Sequence, residues 1–231
     1  MSDSSLFANS TFGLSSNQRV QIVRDSGQEQ LVGEVIETSL TSYNAQTYKL
    51  DEPPPFGGLV RVKDRAGSCE IYGAVYHIAT GGLDPGRRAA ARGSGQPPAN
   101  DEQVYTDNPQ LSRLLRTEFA VLVLGCCKAG QSSPRFSYIF PDYPPPLHYS
   151  VSLCPDSILI DFTEEKSYLR TILEAAHVPA EELVAAILRR SAQARGEAGR
   201  AFLVESLRHL ARHLKQDYDR FKIIVEKCEI A

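Results

Sequence analysis

The chain lacks a charge excess, a long apolar run and a paired-cysteine motif, and each absence removes a class of function. Its 231 residues include 25 Lys or Arg and 28 Asp or Glu, a net charge of −3. A nucleic-acid binder ordinarily carries a basic excess or stripe, so bulk electrostatics do not point to one, and only local basic patches stay open. No run of about 18 apolar residues occurs, so neither a transmembrane helix nor membrane insertion is expected. Residues 1–17 are rich in Ser and Asn and have no basic start followed by an apolar stretch. That argues against a secretory signal and for a flexible or partner-docking N-terminal arm.

The five cysteines, Cys69, Cys126, Cys127, Cys154 and Cys228, are odd in number and never spaced CxxC. Adjacent cysteines such as Cys126 and Cys127 rarely close an unstrained disulfide. Free, mostly buried thiols in a reducing cytoplasm are expected, and the paired-ligand spacing of a zinc site is missing. No Gly-x-Ser-x-Gly elbow and no sequence-local Ser/His/Asp or Cys/His arrangement occurs. The expectation is a protein without catalytic residues, metal or cofactor.

What is present is a β-rich stretch from Arg19 to Phe162. Val20 and Ile22 alternate with polar residues, as in a half-buried strand. Leu31–Glu37, Asn44–Leu50, Leu59–Lys63 and Cys69–Thr80 read as the next strands, with Glu52–Gly58 as a loop of prolines and glycines between two of them. Gly81 to Gln103 has no core-forming periodicity and reads as a flexible insertion at the end of the longest strand. Asp107–Arg116 reads as a short helix with Asn108 as cap and Pro109 in its first turn. Phe119–Leu124 is wholly apolar, which suits a strand buried on both faces, with Gly125 as its end. Phe136–Phe140, Ser150–Cys154 and Ile158–Phe162 complete the β part, and Pro141–Pro146 forms an extended link.

The pattern turns helical at 164. Glu164–Ala176 and a helix opened by Pro179 and running to about Gln193 precede a break at Arg195–Gly199. One long helix is then expected from Arg200 to Cys228, with apolar residues every three or four positions, Leu203, Leu207, Leu210, Leu214, Tyr218, Phe221, Ile224 and Cys228. Such a seam either packs on the preceding helices or presents a surface to another subunit. The fold expected is α+β: a small closed antiparallel barrel over 18–163, followed by a helical region of about three helices over 164–231.

Two clusters are candidates for chemistry or contacts. Arg87, Arg88 and Arg92 in the insertion, with Arg113 and Arg116 after it, suit phosphates or an acidic partner, because guanidinium groups hold both in bidentate fashion. Glu205, His209 and His213 share one helical face, but Arg208 and Arg212 interleave with them and repel a cation, so a solvated polar face is expected. The partner-binding candidates are those five arginines together with Leu207, Leu210, Leu214, Tyr218 and Phe221.

Several segments resemble the HerA–ATP-synthase barrel, the N-terminal barrel of HerA-type DNA-translocating ATPases and of rotary ATP synthase subunits. Leu31–Glu37 is similar to the early Val-Gly strand, and Phe56–Val62 to the glycine-then-strand entry. Ile71–Ile78 is similar to the Ile-Tyr-Gly-x-Val core strand. Phe119–Gly125, Tyr143–Pro146 and Ser150–Leu153 are similar to the closing segment. The resemblance spans about 18–163. It implies a closed barrel without exposed edges and a place in a homo-oligomer or a larger, ring-shaped protein complex. The motor is missing: Gly93-Ser-Gly95 has no lysine after it, Gly81-Gly82 is followed by leucine, and no phosphate-cradling loop exists. A non-enzymatic assembly or adaptor protein is therefore expected. An accessory subunit of a DNA-processing ATPase or nuclease is the alternative, and an unrecognised enzyme the third.

Overall fold

The computed structural model describes residues 30–84, 101–130 and 134–228. The arm at 1–17, the strand expected around Val20 and Ile22, and Arg87, Arg88 and Arg92 lie outside the described residues. Seven strands are described: β1 (Gln30–Thr38), β2 (Ser42–Thr47), β3 (Leu59–Lys63), β4 (Cys69–Gly82), β5 (Leu115–Lys128), β6 (Phe136–Ser137) and β7 (Ser150–Leu153). Six of them close a ring in the order β1–β2–β5–β4–β3–β7, antiparallel at every seam, and β6 adds to the free stretch of β5. The β3–β7 seam is the shortest, with Val60 opposite Leu153 and Arg61 opposite Ser152.

Alternation explains the two cores. Val35, Tyr43, Val60, Val62, Ile71, Val75, Phe119, Val121 and Val151 fill the barrel lumen. Leu59, Tyr72, Ala74, Leu122 and Leu124 point outward and join a second core with the helices. Phe119–Leu124 is apolar throughout because its inward set meets the lumen and its outward set meets the helical layer. Gly125 does not end this strand, which runs on to Lys128. A side chain there would sit 2.5 Å from the carbonyl oxygen of Ser137, so glycine lets β6 approach. At one rim Thr80, Thr117 and the left-handed Asp51 interlock, with Thr80 Oγ1 donating to Asp51 at 3.0 Å and Asp51 N to Thr117 Oγ1 at 3.0 Å.

The helices are α1 (Asp101–Asp107), α2 (Leu111–Leu114), α3 (Asp156–Phe162), α4 (Ser167–Glu174), α5 (Ala180–Ala194), α6 (Gly199–His213) and α7 (Tyr218–Cys228). Three expectations change. The helix expected over Asp107–Arg116 is a single turn, α2, and Arg116 belongs to β5. Asn108 closes α1 through its side-chain amide, which donates to Val104 O at 3.0 Å. Ile158–Phe162 is helical rather than extended: Pro155 leads in, Asp156 lies in the first turn, and Leu159 and Phe162 are buried three residues apart. The α+β fold is as expected, a closed barrel followed by a helical region; among the described residues the short α3 and α4 lead into the three helices α5, α6 and α7. The single long C-terminal helix is two, broken over Leu214–Asp217, where Asp217 caps α7 by accepting from Arg220 N at 3.3 Å. Among the described residues no helix is long and apolar enough to cross a membrane.

Charge fastens α7 to α5. Arg220 pairs with Glu181 and donates to Leu173 O at 3.1 Å, and Lys227 pairs with Glu182. Burial pushes the Glu181 carboxyl up, but the hydrogen bond and charge of Arg220 outweigh it and hold it below its ordinary value. A carboxyl depressed in the folded state contributes stability that is present above its unfolded pKa and lost as pH falls through the folded one. Arg220→Met should therefore cost about 1–2 kcal/mol at neutral pH. The loss should shrink below pH 4.5, as urea unfolding at the two pH values will read.

Candidate functional site

A large cavity opens at the barrel end opposite the Asp51–Thr80 rim. Its floor is the inward row Cys69, Ile71 and Cys126, where β4 and β5 pair Ile71 with Cys126 and Cys69 with Lys128. One wall is the β3–β4 turn, Asp64–Ser68. The other is a strap from Ile139 to Tyr149 that crosses the mouth. Together they enclose a groove of about 1160 Å³.

Local chemistry fixes both walls. In the turn, Gly67 takes a φ of 67°, and the Asp64 carboxylate accepts from Ser68 N at 2.8 Å, Ser68 Oγ at 2.9 Å and Cys69 N at 3.1 Å. Burial acts slightly upward on Asp64, but these donors win and hold its carboxyl below the usual value. The strap carries Pro141 and Pro144–Pro146, whose rings set φ and remove backbone donors, so it stands as an extended segment without a ladder. Its ends are tied to the body. Tyr138 Oη donates to Phe162 O at 2.6 Å, within a ring cluster in which Tyr72, Phe136 and Tyr138 surround Phe162 at centroid distances of 5.1–5.8 Å. At the other end His148 N donates to Val35 O at 2.9 Å, Val35 N returns to Tyr149 O at 3.0 Å, and His148 Nδ1 meets Glu34 Oε1 at 2.7 Å.

Between those ties four large apolar side chains stay out of either core. Ile139 is 68% exposed, Phe140 46%, Tyr143 80% and Leu147 50%. Exposed apolar side chains gathered along one groove wall suit a contact surface. Cys69 in the floor is not an activated nucleophile: burial first, then the neighbouring Cys126 sulfur, pushes its thiol up to about 12, so it stays protonated at neutral pH. All five cysteines are free thiols.

Among the described residues, those singled out in the sequence do not converge here. Arg116 pairs with Glu118 at 2.9 Å and sits opposite Gly81, ten residues along β5 from Cys126, roughly 33 Å away. Arg113 is exposed on α2. Leu210 is fully buried, and Leu207, Leu214 and Phe221 pack half-buried on the helical core, so most of the seam is internal packing. Leu210 therefore offers nothing to another subunit. Tyr218 alone among them is largely exposed, at 69%. The prolines of the strap read as a link in the sequence, yet Ile139, Phe140, Tyr143 and Leu147 are too many large apolar groups for a segment meant only to be solvated. No protein-family model matches this chain, and no curated protein sequence matches it.

Proposed function

We propose that this chain is a non-enzymatic assembly or adaptor protein that docks into a larger protein complex, with the barrel mouth as one docking face. The strap is the observation that carries the reading. It holds four exposed apolar side chains within nine residues beside a groove, on a closed frame that fixes both strap ends. The family reading is a HerA–ATP-synthase-like barrel. It is supported by the closed antiparallel barrel built on the segments that carry the resemblance. Self-association into a homo-oligomer, or incorporation into a ring-shaped complex, is the arrangement this implies. Free thiols at all five cysteines support a reducing, cytoplasmic setting.

Size-exclusion chromatography with light scattering tests the self-assembly form, using the full chain and the double variant Phe140→Ser, Tyr143→Ser. The wild type is expected to elute as an oligomer and the variant as a monomer. Stability should change by less than about 1 kcal/mol, since both side chains are substantially exposed. A wild-type chain that stays monomeric at high micromolar concentration sinks the self-assembly form.

A further inference from the structure

The chain has five histidines. Two of them, His209 and His213, stand one turn apart on α6, with Nε2 atoms 2.9 Å apart and ring centroids at 4.6 Å. Two neutral rings can share an N–H···N hydrogen bond at that distance. It is also the span between two neighbouring ligands of one ion. An imidazole nitrogen lies about 2.0–2.1 Å from a bound transition metal, so nitrogens 2.9 Å apart subtend roughly 90° at the ion. A tetrahedral ion needs about 109°, which would spread the same nitrogens to roughly 3.3 Å. A right-angle bite belongs to square-planar and octahedral ions, the geometry of Cu²⁺ and Ni²⁺.

We propose that His209 and His213 form a two-histidine clamp for a late first-row divalent ion, Cu²⁺ or Ni²⁺, with water completing the coordination shell. Among the described residues no group of three His, Cys, Asp or Glu suits a metal, so the protein supplies two ligands. The local charges are mixed. Arg208 and Arg212 oppose the ion from the exposed face of α6, where solvent and salt screen them. Lys166 opposes it too, but its Nζ is turned to the carbonyl oxygens of Thr163 at 3.1 Å and Glu164 at 2.5 Å. Glu205, one turn before His209, attracts it. His213 lies in the last turn of α6, where the unpaired carbonyls carry the negative end of the helix dipole. His213 is exposed and His209 half-buried, so the ion has an open approach and one oriented ligand. Chelation at i and i+4 also fastens the turn immediately before the break at Leu214–Asp217. The clamp is independent of the docking reading.

Isothermal titration of the full chain at neutral pH with NiCl₂, CuCl₂ and ZnCl₂ tests it, beside His209→Gln, His213→Gln and the control His77→Gln, an exposed histidine on β4. Circular dichroism checks that each variant is folded. One ion per chain is expected, with Cu²⁺ tightest and Ni²⁺ ahead of Zn²⁺. Affinity should fall roughly tenfold or more in either clamp variant and hold in the control. Cu²⁺ bound to the wild type should show nitrogen superhyperfine splitting from two imidazoles. No binding below millimolar ion, unchanged affinity in either clamp variant, or Zn²⁺ ahead of Ni²⁺ would overturn the proposal.

Discussion

Gly57→Ala should lower the unfolding free energy by about 2–5 kcal/mol, measured by urea denaturation, and most of the loss should fall on the joint between barrel and helices. Two independent terms set that size. Gly57 has a φ of +73°, a left-handed conformation that costs a residue with a β-carbon about 1–2 kcal/mol. The added Cβ would also stand 2.6 Å from the Ala186 methyl and 3.2 Å from the backbone of α5, and overpacking of that kind costs about 1–3 kcal/mol. The loop cannot retreat. Gly57 N donates to Val75 O at 2.8 Å, Val75 N returns to Gly58 O at 3.1 Å, and Arg190 of α5 donates through Nε to Phe56 O at 3.0 Å. Ala186→Gly separates the terms. It removes the methyl and leaves the dihedral strain, at about 1 kcal/mol of helix propensity. The double variant should lose less than the sum of the two single variants. Strict additivity would show that the methyl contact is not what excludes a side chain at Gly57.

The same joint shows what a sequence can and cannot reveal here. Leu59–Lys63 is read with the bounds it has in the structure, because prolines and glycines punctuate it on one side and alternation fills it. Phe119–Leu124 is legible as buried on both faces because no polar residue interrupts it. Ile158–Phe162 is not, since five residues that are mostly apolar fit one turn of helix as well as a strand, and burial of Leu159 with Phe162 decides the matter. The break at Leu214–Asp217 hides for a related reason: the interrupting turn preserves the three-and-four spacing, so the seam looks continuous. Lys215, Gln216 and the capping Asp217 were the local signal. The strap escapes on different grounds. Its prolines announce an extended segment, but what makes it a surface is the tie of Tyr138 to Phe162 and of His148 to Val35, contacts between segments remote in sequence. The spacing of His209 and His213 shows a shared face, whereas the approach of their ring nitrogens depends on rotamers that spacing does not encode.

Arg195→Met should be the most damaging single change in the helical layer, at about 3–5 kcal/mol. The guanidinium is 8% exposed and closes the C-terminal end of α3. One terminal nitrogen donates to Thr163 Oγ1 and to Ser191 O, each at 3.0 Å. The other donates to Ile160 O at 2.8 Å and meets Glu164 Oε2 at 3.2 Å. Its face lies over the Phe202 ring, 3.9 Å from the centroid, which adds about 1–2 kcal/mol in a desolvated setting. A helix end left buried without donors pays the desolvation of its carbonyls in full. Lys166 cannot take over, because its ammonium already serves Thr163 O and Glu164 O and lies 4.8 Å over the same ring. Methionine fills much of the volume, so the loss would report the fork of donors rather than a cavity. Arg195→Lys keeps the charge but places a single nitrogen where two are needed, and it should recover less than half of the difference. If the lysine variant matches the wild type in urea, charge alone holds the end of α3, and the bidentate account fails. Amide hydrogen exchange would locate the effect: protection should fall first in α3 and in the Thr163–Lys166 turn, while the lumen strands of the barrel keep theirs.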